Sequence, residues 1–238
     1  VRQSFFGPRC HYCGSAGFAF LRPAKQQEAV MPIETARIRA FLATVEGKQQ
    51  TQGYIPCDLV GGGTANYRGG PNPERYRPMG VSGVTVATGV DLGQTDAATL
   101  VRIGVSSATV NSLRPYLGQR EAAAVAVLHR LPLFVSQAVA DELDAAMHRH
   151  HIGIAQARYD RDAGTGIFAQ LPWQAQAAIM SIIYQRGPGS IPKFKNTWAA
   201  FVRQDWADAA RRLCNGDLWA GYQSRRAAEG RLLRTIGG

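Results

Sequence analysis

The sequence predicts an α+β fold of two lobes, mostly helical, with one small sheet in the N-terminal lobe. Three observations predict it. An apolar repeat at helical spacing runs up to Glu46-Gly47 and stops there. The stretch that follows has no helical period, many glycines and only two strand-like pieces. From Asp91 onward the apolar residues return to helical spacing and keep it to the C-terminus.

Taken in order, Pro32 suits a first helical turn, and Ile38, Phe41, Leu42 and Val45 share one face until Gly47 ends the helix. Residues 47–83 contain Gly61-Gly62-Gly63, Gly69-Gly70-Pro71-Asn72-Pro73 and Pro78, and read as one long loop, a length that goes with function or mobility. Tyr54-Ile55-Pro56 and the β-branched run Val84-Thr85-Val86-Ala87-Thr88, bounded by Gly83 and Gly89, supply the small sheet. Helices are expected over about 96–103, 107–117, 119–130, 136–150, 172–186, 197–204, 206–214 and 218–235. Ser136 and Asp205 read as N-caps, and Gly104, Gly118 and Gly187 stand at C-termini. Ala177, Ile179, Met180, Ile182 and Ile183 are apolar almost all round, which marks a central buried helix. The expected division is an arm over 1–31 and one domain over 32–238, its small lobe about 46–95 and its helical lobe about 96–238.

Composition narrows the function classes. At 238 residues with 45% apolar and 18% charged residues, the chain can bury a core without disulfide or metal staples, and global disorder is excluded. No run of 18 apolar residues exists, so no membrane insertion is expected. The net charge of +10 is uneven: residues 1–45 carry +4, 46–96 carry −1, 97–144 carry 0 and 145–238 carry +7. A basic C-terminal half points to an anionic polymer, whether nucleic acid, acidic glycan or membrane surface. Cys10 and Cys13 have the spacing of half a zinc site or of a redox pair, but Cys57 and Cys214 are single and far apart, so free thiols are the third reading. His148, His150 and His151 crowd one helix end, yet neighbours in sequence point to different faces, and no metal is expected there. Trp173, Trp198, Trp206 and Trp219 read as core rather than as sugar platforms. Residues 1–30 lack the long apolar run of a signal peptide, and the chain starts at Val1, as a processed form or a fragment would.

Three residues around the small sheet carry candidate chemistry. Glu46 ends a helix before the glycine-rich stretch, Thr85 lies in the strand, and Asp91 follows just past the Thr88-Gly89 turn. Glycoside hydrolysis needs an acid to protonate the leaving oxygen and a carboxylate on the opposite face of the sugar, and a hydroxyl beside the second carboxylate helps hold the attacking water. Spacing alone favours the plainer reading, Glu46 as a solvated helix-end carboxylate and Asp91 as an N-cap.

Several blocks in collinear order go further. Val45-Glu46-Gly47, Gly53-Tyr54-Ile55-Pro56 and Ser82-Gly83-Val84-Thr85-Val86-Ala87-Thr88-Gly89-Val90-Asp91-Leu92-Gly93 resemble the muramidase domain of the pesticin family, itself related to phage lysozymes. Ser181-Ile182-Ile183-Tyr184-Gln185-Arg186-Gly187, Phe194-Lys195-Asn196-Thr197, Asp205 to Leu213 and Arg225-Arg226-Ala227-Ala228-Glu229 resemble the large lobe of phage lysozymes. The likeness covers roughly residues 35–236. It implies a lysozyme-like fold, no cofactor, Glu46 as general acid, Thr85 as a holder of the catalytic water and Asp91 as the catalytic aspartate. In phage lysozymes the aspartate precedes the threonine; here the only acid in that stretch is Asp58, which stays as the alternative carboxylate. Gln185 matches an amide at the cleft wall, or is simply a polar residue of a buried helix.

The implied activity is an N-acetylmuramidase cutting the β-1,4 bond between N-acetylmuramic acid and N-acetylglucosamine in peptidoglycan by single displacement, with inversion. A lytic transglycosylase and a non-catalytic wall- or nucleic-acid-binding module are the alternatives. Transglycosylation needs no held water, and no nucleic-acid motif or stacking platform is present, so no nucleic acid is expected as partner. Residues Cys10 to Ala19 resemble the opening of antibacterial effectors delivered by contractile secretion machines. That likeness implies action in a rival's periplasm and a cognate immunity protein; a phage endolysin is the competing context.

Overall fold

The apolar face read from Ile38 and Leu42 is buried in α1 (Thr35–Val45) of the computed structural model, which describes residues 33–215 and 222–237. The expected arm, with His11, Cys10 and Cys13, and Trp219 lie outside the described residues. Among those described, five strands form one antiparallel sheet: β1 (Gln50–Leu59), β2 (Thr64–Tyr67), β3 (Tyr76–Pro78), β4 (Thr85–Ala87) and β5 (Val90–Asp91). Their order is β2-β1-β4-β5, with β3 also paired to β1.

The sheet corrects the sequence reading. Most of it lies in the stretch expected to be a loop, and β1 is its longest strand. Gly53, Ile55 and Cys57 alternate inward along β1, but glycine, cysteine and Pro56 disguise the period-two pattern. Gly53 is small for a reason: a Cβ there would lie 2.8 Å from Leu133 Cβ. Pro56 can sit in the strand because its carbonyl is the group in use, accepting from Met79 N at 2.9 Å.

Helices follow as α2 (Ala97–Arg102), α3 (Ser107–Leu113), α4 (Glu121–Arg130), α5 (Gln137–Ala163), α6 (Ile167–Gln170), α7 (Trp173–Arg186), α8 (Lys195–Val202), α9 (Trp206–Asn215) and α10 (Gln223–Leu233). Ser136 Oγ caps α5 by accepting from Val139 N, and Asp205 Oδ1 caps α9 by accepting from Asp208 N at 2.9 Å. The α3 segment tightens to a 3₁₀ turn at Arg114–Tyr116, where Pro115 lacks the donor to continue it. Helix α5 runs to Ala163 instead of the expected 150. Its apolar side changes partner midway: Ala140, Leu143 and Ala146 join the sheet core, whereas Ile152, Ala155 and Tyr159 join the core around α7. No single stripe therefore marks its length in the sequence.

Two apolar cores result. One surrounds α7, whose residues Ala175 to Ile183 are all buried, and draws on α1 and α8 to α10. The other backs the sheet and includes Leu100, Leu113, Leu128 and Leu143. Helices α2 to α4 thus pack with the sheet, so the border expected near residue 95 is not a packing boundary; α5 links the two cores.

Candidate active site

One row across the sheet gathers most of the candidate residues. Thr85 of β4 is in register with Tyr54 on one side and with Asp91 on the other, so the three side chains project from the same face. The hairpin that sets this row turns through Ala87, Thr88 and Gly89, with Ala87 at φ 53° and Gly89 at φ 83°. Thr85 is only 6% exposed.

Asp91 leaves the last strand as the N-cap of the turn Leu92–Gln94. Its Oδ1 accepts from Gly93 N at 2.9 Å and from Gly83 N at 3.1 Å, and Oδ2 has the longer 3.3 Å contact to Gly83 N. Burial pushes the Asp91 carboxyl above the ordinary aspartate range, against the two amides and the Arg120 guanidinium. Arg120 is held by donating Nε–H to the Gly93 carbonyl at 2.7 Å. Arg120 is the cation that opposes the rise, but burial dominates.

Glu46 is the C-cap residue of α1, its side chain 13% exposed and paired with Arg225. Arg225 also donates to Ser181 Oγ at 3.1 and 2.9 Å and to the Ser181 carbonyl at 2.9 Å. Ser181 Oγ in turn donates to Glu229 Oε1, and Arg226 sits 3.0 Å from Glu229 Oε2. Two carboxyl groups and two guanidinium groups thus share one buried network. Burial pushes Glu229 up to about 7 and Arg226 down to about 10.

Two tyrosines lie in the electric field of the carboxylates. The Tyr54 phenol is pushed up by burial and, further, by the charges of Asp91 and Glu46, while Arg68, whose guanidinium lies 5.3 Å from its ring, opposes. Burial and Glu46 also raise Tyr184, whose hydroxyl donates to the Thr88 carbonyl at 3.1 Å.

Other candidates fall elsewhere. Asp58 is exposed and pairs across β1 with Thr64 and Arg77. It lies four residues beyond Tyr54 along the strand, roughly 13 Å away at the ordinary rise per residue. Gln185 Oε1 accepts from Arg226, which accords with a polar residue of a buried helix. His148 and His151 pack edge-on against Tyr184, and among the described residues no group of three metal-ligating side chains forms. Cys57 and Cys214 are free thiols, and Trp198 is buried with Nε1–H donated to Asp162 at 2.7 Å.

Sequence reasoning gave no role to Arg225, Arg120, Tyr184 or Asp144. The last is buried and accepts from the Thr88 backbone and hydroxyl at 2.9 and 2.6 Å. A usable signal existed for the first: Arg225, Arg226 and Glu229 at helical spacing in a helix with little apolar surface suggest an internal ion network.

Comparison with known proteins gives one family. The profile described as "Pesticin: Bacterial toxin homologue of phage lysozyme, C-term" matches residues 38–207, which takes in Glu46, Thr85 and Asp91. No curated protein matches the chain.

Proposed function

The chain belongs to the pesticin family of bacterial toxins homologous to phage lysozyme, a peptidoglycan-lytic group, and from that premise we propose that it is an N-acetylmuramidase with Glu46, Thr85 and Asp91 at its centre. The observation that carries the reading is the register that sets Thr85 between Tyr54 and Asp91 on one face of the sheet. Glu46 ends the helix that leads into β1, and Asp58 lies four residues beyond Tyr54 on that strand.

In the proposed reaction, Arg225 fixes Glu46 by Oε1; Oε2 takes up a proton from solvent as the glycan binds and delivers it to the glycosidic oxygen between the muramic acid and glucosamine units. Water, held by the Thr85 hydroxyl and Asp91, attacks the anomeric carbon from the opposite face. Asp91 takes the water's proton as the C–O bond breaks. A base whose pKa is raised towards the working pH is the more effective one, and partial burial supplies that. Room for a water between the carboxyl groups corresponds to a separation of about 6.5–9.5 Å and to inversion at the anomeric centre. A transglycosylase would need neither the held water nor its base. The basic surface of the helical lobe suits a wall polymer whose stem peptides carry carboxylates. Delivery into a rival's periplasm and protection of the producer by an immunity protein complete the proposal. Among the described residues no helix is long and apolar enough to cross a membrane.

Mass spectrometry of digested peptidoglycan tests it. Reducing muramic ends are expected; anhydro ends would mean transglycosylation, and no products a binding module. Glu46→Gln and Asp91→Asn should each lower turnover by roughly 10²–10⁴-fold, with Asp58→Asn near the parent. Activity in Asp91→Asn together with a dead Asp58→Asn would move the base to Asp58.

A further inference from the structure

We propose that Asp144 is a positioning residue that sets the spacing between the acid and the water-holding hairpin; this rests on the muramidase reading above. Asp144 lies on α5, the helix that contributes to both cores, and is 5% exposed. Its hydrogen bonds tie it to two short segments. Oδ1 accepts from Thr88 N at 2.9 Å, and Oδ2 accepts from Thr88 Oγ1 at 2.6 Å and from Gln49 Nε2 at 2.6 Å.

The sequence positions of those partners give the clamp its meaning. Thr88 stands three residues after Thr85 and three before Asp91, at the tip of the hairpin that pairs them. Gln49 stands three residues after Glu46, in the link from α1 to β1. One buried carboxylate therefore joins the segment carrying the acid to the segment carrying the water site. Because α5 is a rigid element, the join fixes one against the other.

The hairpin needs such a hold. Ala87 sits in the left-handed region at φ 53°, where a residue with a Cβ is disfavoured, and it is buried. Strained backbone of this kind persists only where its surroundings over-determine it. Here Asp144 grips the Thr88 amide and hydroxyl, and Tyr184 grips the Thr88 carbonyl from α7. Without Asp144 the turn is free to relax at Ala87, which would shift Thr85 and Asp91 relative to Glu46.

Asp144→Asn keeps the shape but replaces one acceptor by a donor, so either the Thr88 amide faces another donor, or the new donor faces the Gln49 amide and the Thr88 hydroxyl must turn from donor to acceptor. The clamp has two readouts. In hydrogen exchange, the amides of Thr85 to Asp91 should lose protection in Asp144→Asn and regain it in Asp144→Asn/Ala87→Gly, since glycine holds the same φ without strain. In kinetics on soluble glycan fragments, kcat should fall by about 10- to 100-fold, the scale for a misplaced reacting group, with KM within about twofold. The added Ala87→Gly should restore most of it. Asp141→Ala, which loses a Gln49 contact but none to Thr88, should keep the parent's kcat. Unchanged protection in folded Asp144→Asn overturns the clamp whatever the activity. So does an unchanged kcat in an active enzyme, or a failure of Ala87→Gly to rescue. A parent that cleaves no glycan, with protection lost as expected, overturns the muramidase reading and leaves the clamp standing.

Discussion

Arg225→Met should be among the more damaging single substitutions in the domain, and its cost follows from the groups that it strands. The guanidinium is 8% exposed and serves Glu46, both oxygens of Ser181 and, at 3.5 Å, Glu229. Methionine fills the apolar volume of the stem but offers no donor. Glu229 keeps Arg226 and the Ser181 hydroxyl, so it is not stranded. Glu46 is the group left stranded, since the Ser181 carbonyl lies inside α7 and keeps its helical partner. Removing one partner of a buried ion pair costs about 3–5 kcal/mol. The 13% exposure of Glu46 admits some water, which favours the low end, about 3 kcal/mol. At roughly 2–4 °C per kcal/mol for a domain of this size, Tm should fall by about 6–12 °C. Adding Glu46→Gln removes the stranded charge, so the double variant should melt higher than Arg225→Met alone. Thermal melts followed by circular dichroism at neutral pH measure both. A fall of less than about 2 °C, or no recovery in the double variant, would refute the view that Arg225 is needed chiefly to neutralise Glu46.

Asp91→Asn should be more stable than the parent at neutral pH although its turnover should be low. The raised pKa of Asp91 means that the folded state holds its proton more tightly than the unfolded chain, so ionising it above the folded value costs stability. The advantage of the asparagine should therefore shrink as pH falls towards about 3.9, the ordinary aspartate value; a constant difference in Tm across that range would contradict the assignment. By the same shift, the acid limb of the pH–rate profile should lie above the ordinary aspartate range. Gly83→Ala should abolish turnover without touching a catalytic side chain, because its Cβ would lie 2.5 Å from Gly93 Cα and 2.6 Å from the Gln119 carbonyl, displacing both amides that hold Asp91. Full activity in that variant would show the amides to be dispensable. Binding to sacculi, read by co-sedimentation, should weaken as salt is raised and the screening length falls to about 10 Å at 0.1 M; salt-independent binding would remove the role given to the basic face.

How far the sequence could be read depends on the range of the interaction involved. Caps such as Ser136 and Asp205, and the all-round apolar run of α7, are decided within a few residues, and they were legible. Strand β1 was not, because Gly53 is suited to a partner far away in the chain, Leu133, while Pro56 and Cys57 break the expected pattern opposite Asn66 and Ala65 of β2. The second half of α5 was hidden for a related reason: a helix that serves two cores in succession shows no continuous stripe.

The candidate site divides in the same way. The chain by itself determined the α+β class, the helix that ends at Glu46, the hairpin that carries Thr85 and Asp91, and a family likeness that singled out those three residues. Only the tertiary structure decided that Tyr54 joins their row, that Arg225 lies against Glu46 from the far end of the chain, and that Asp144 grips both Thr88 and Gln49. These are contacts between residues 31 to 179 positions apart, fixed by sheet register and helix packing. Local spacing carries no record of them, since the energy that selects each partner arises only once both cores have formed.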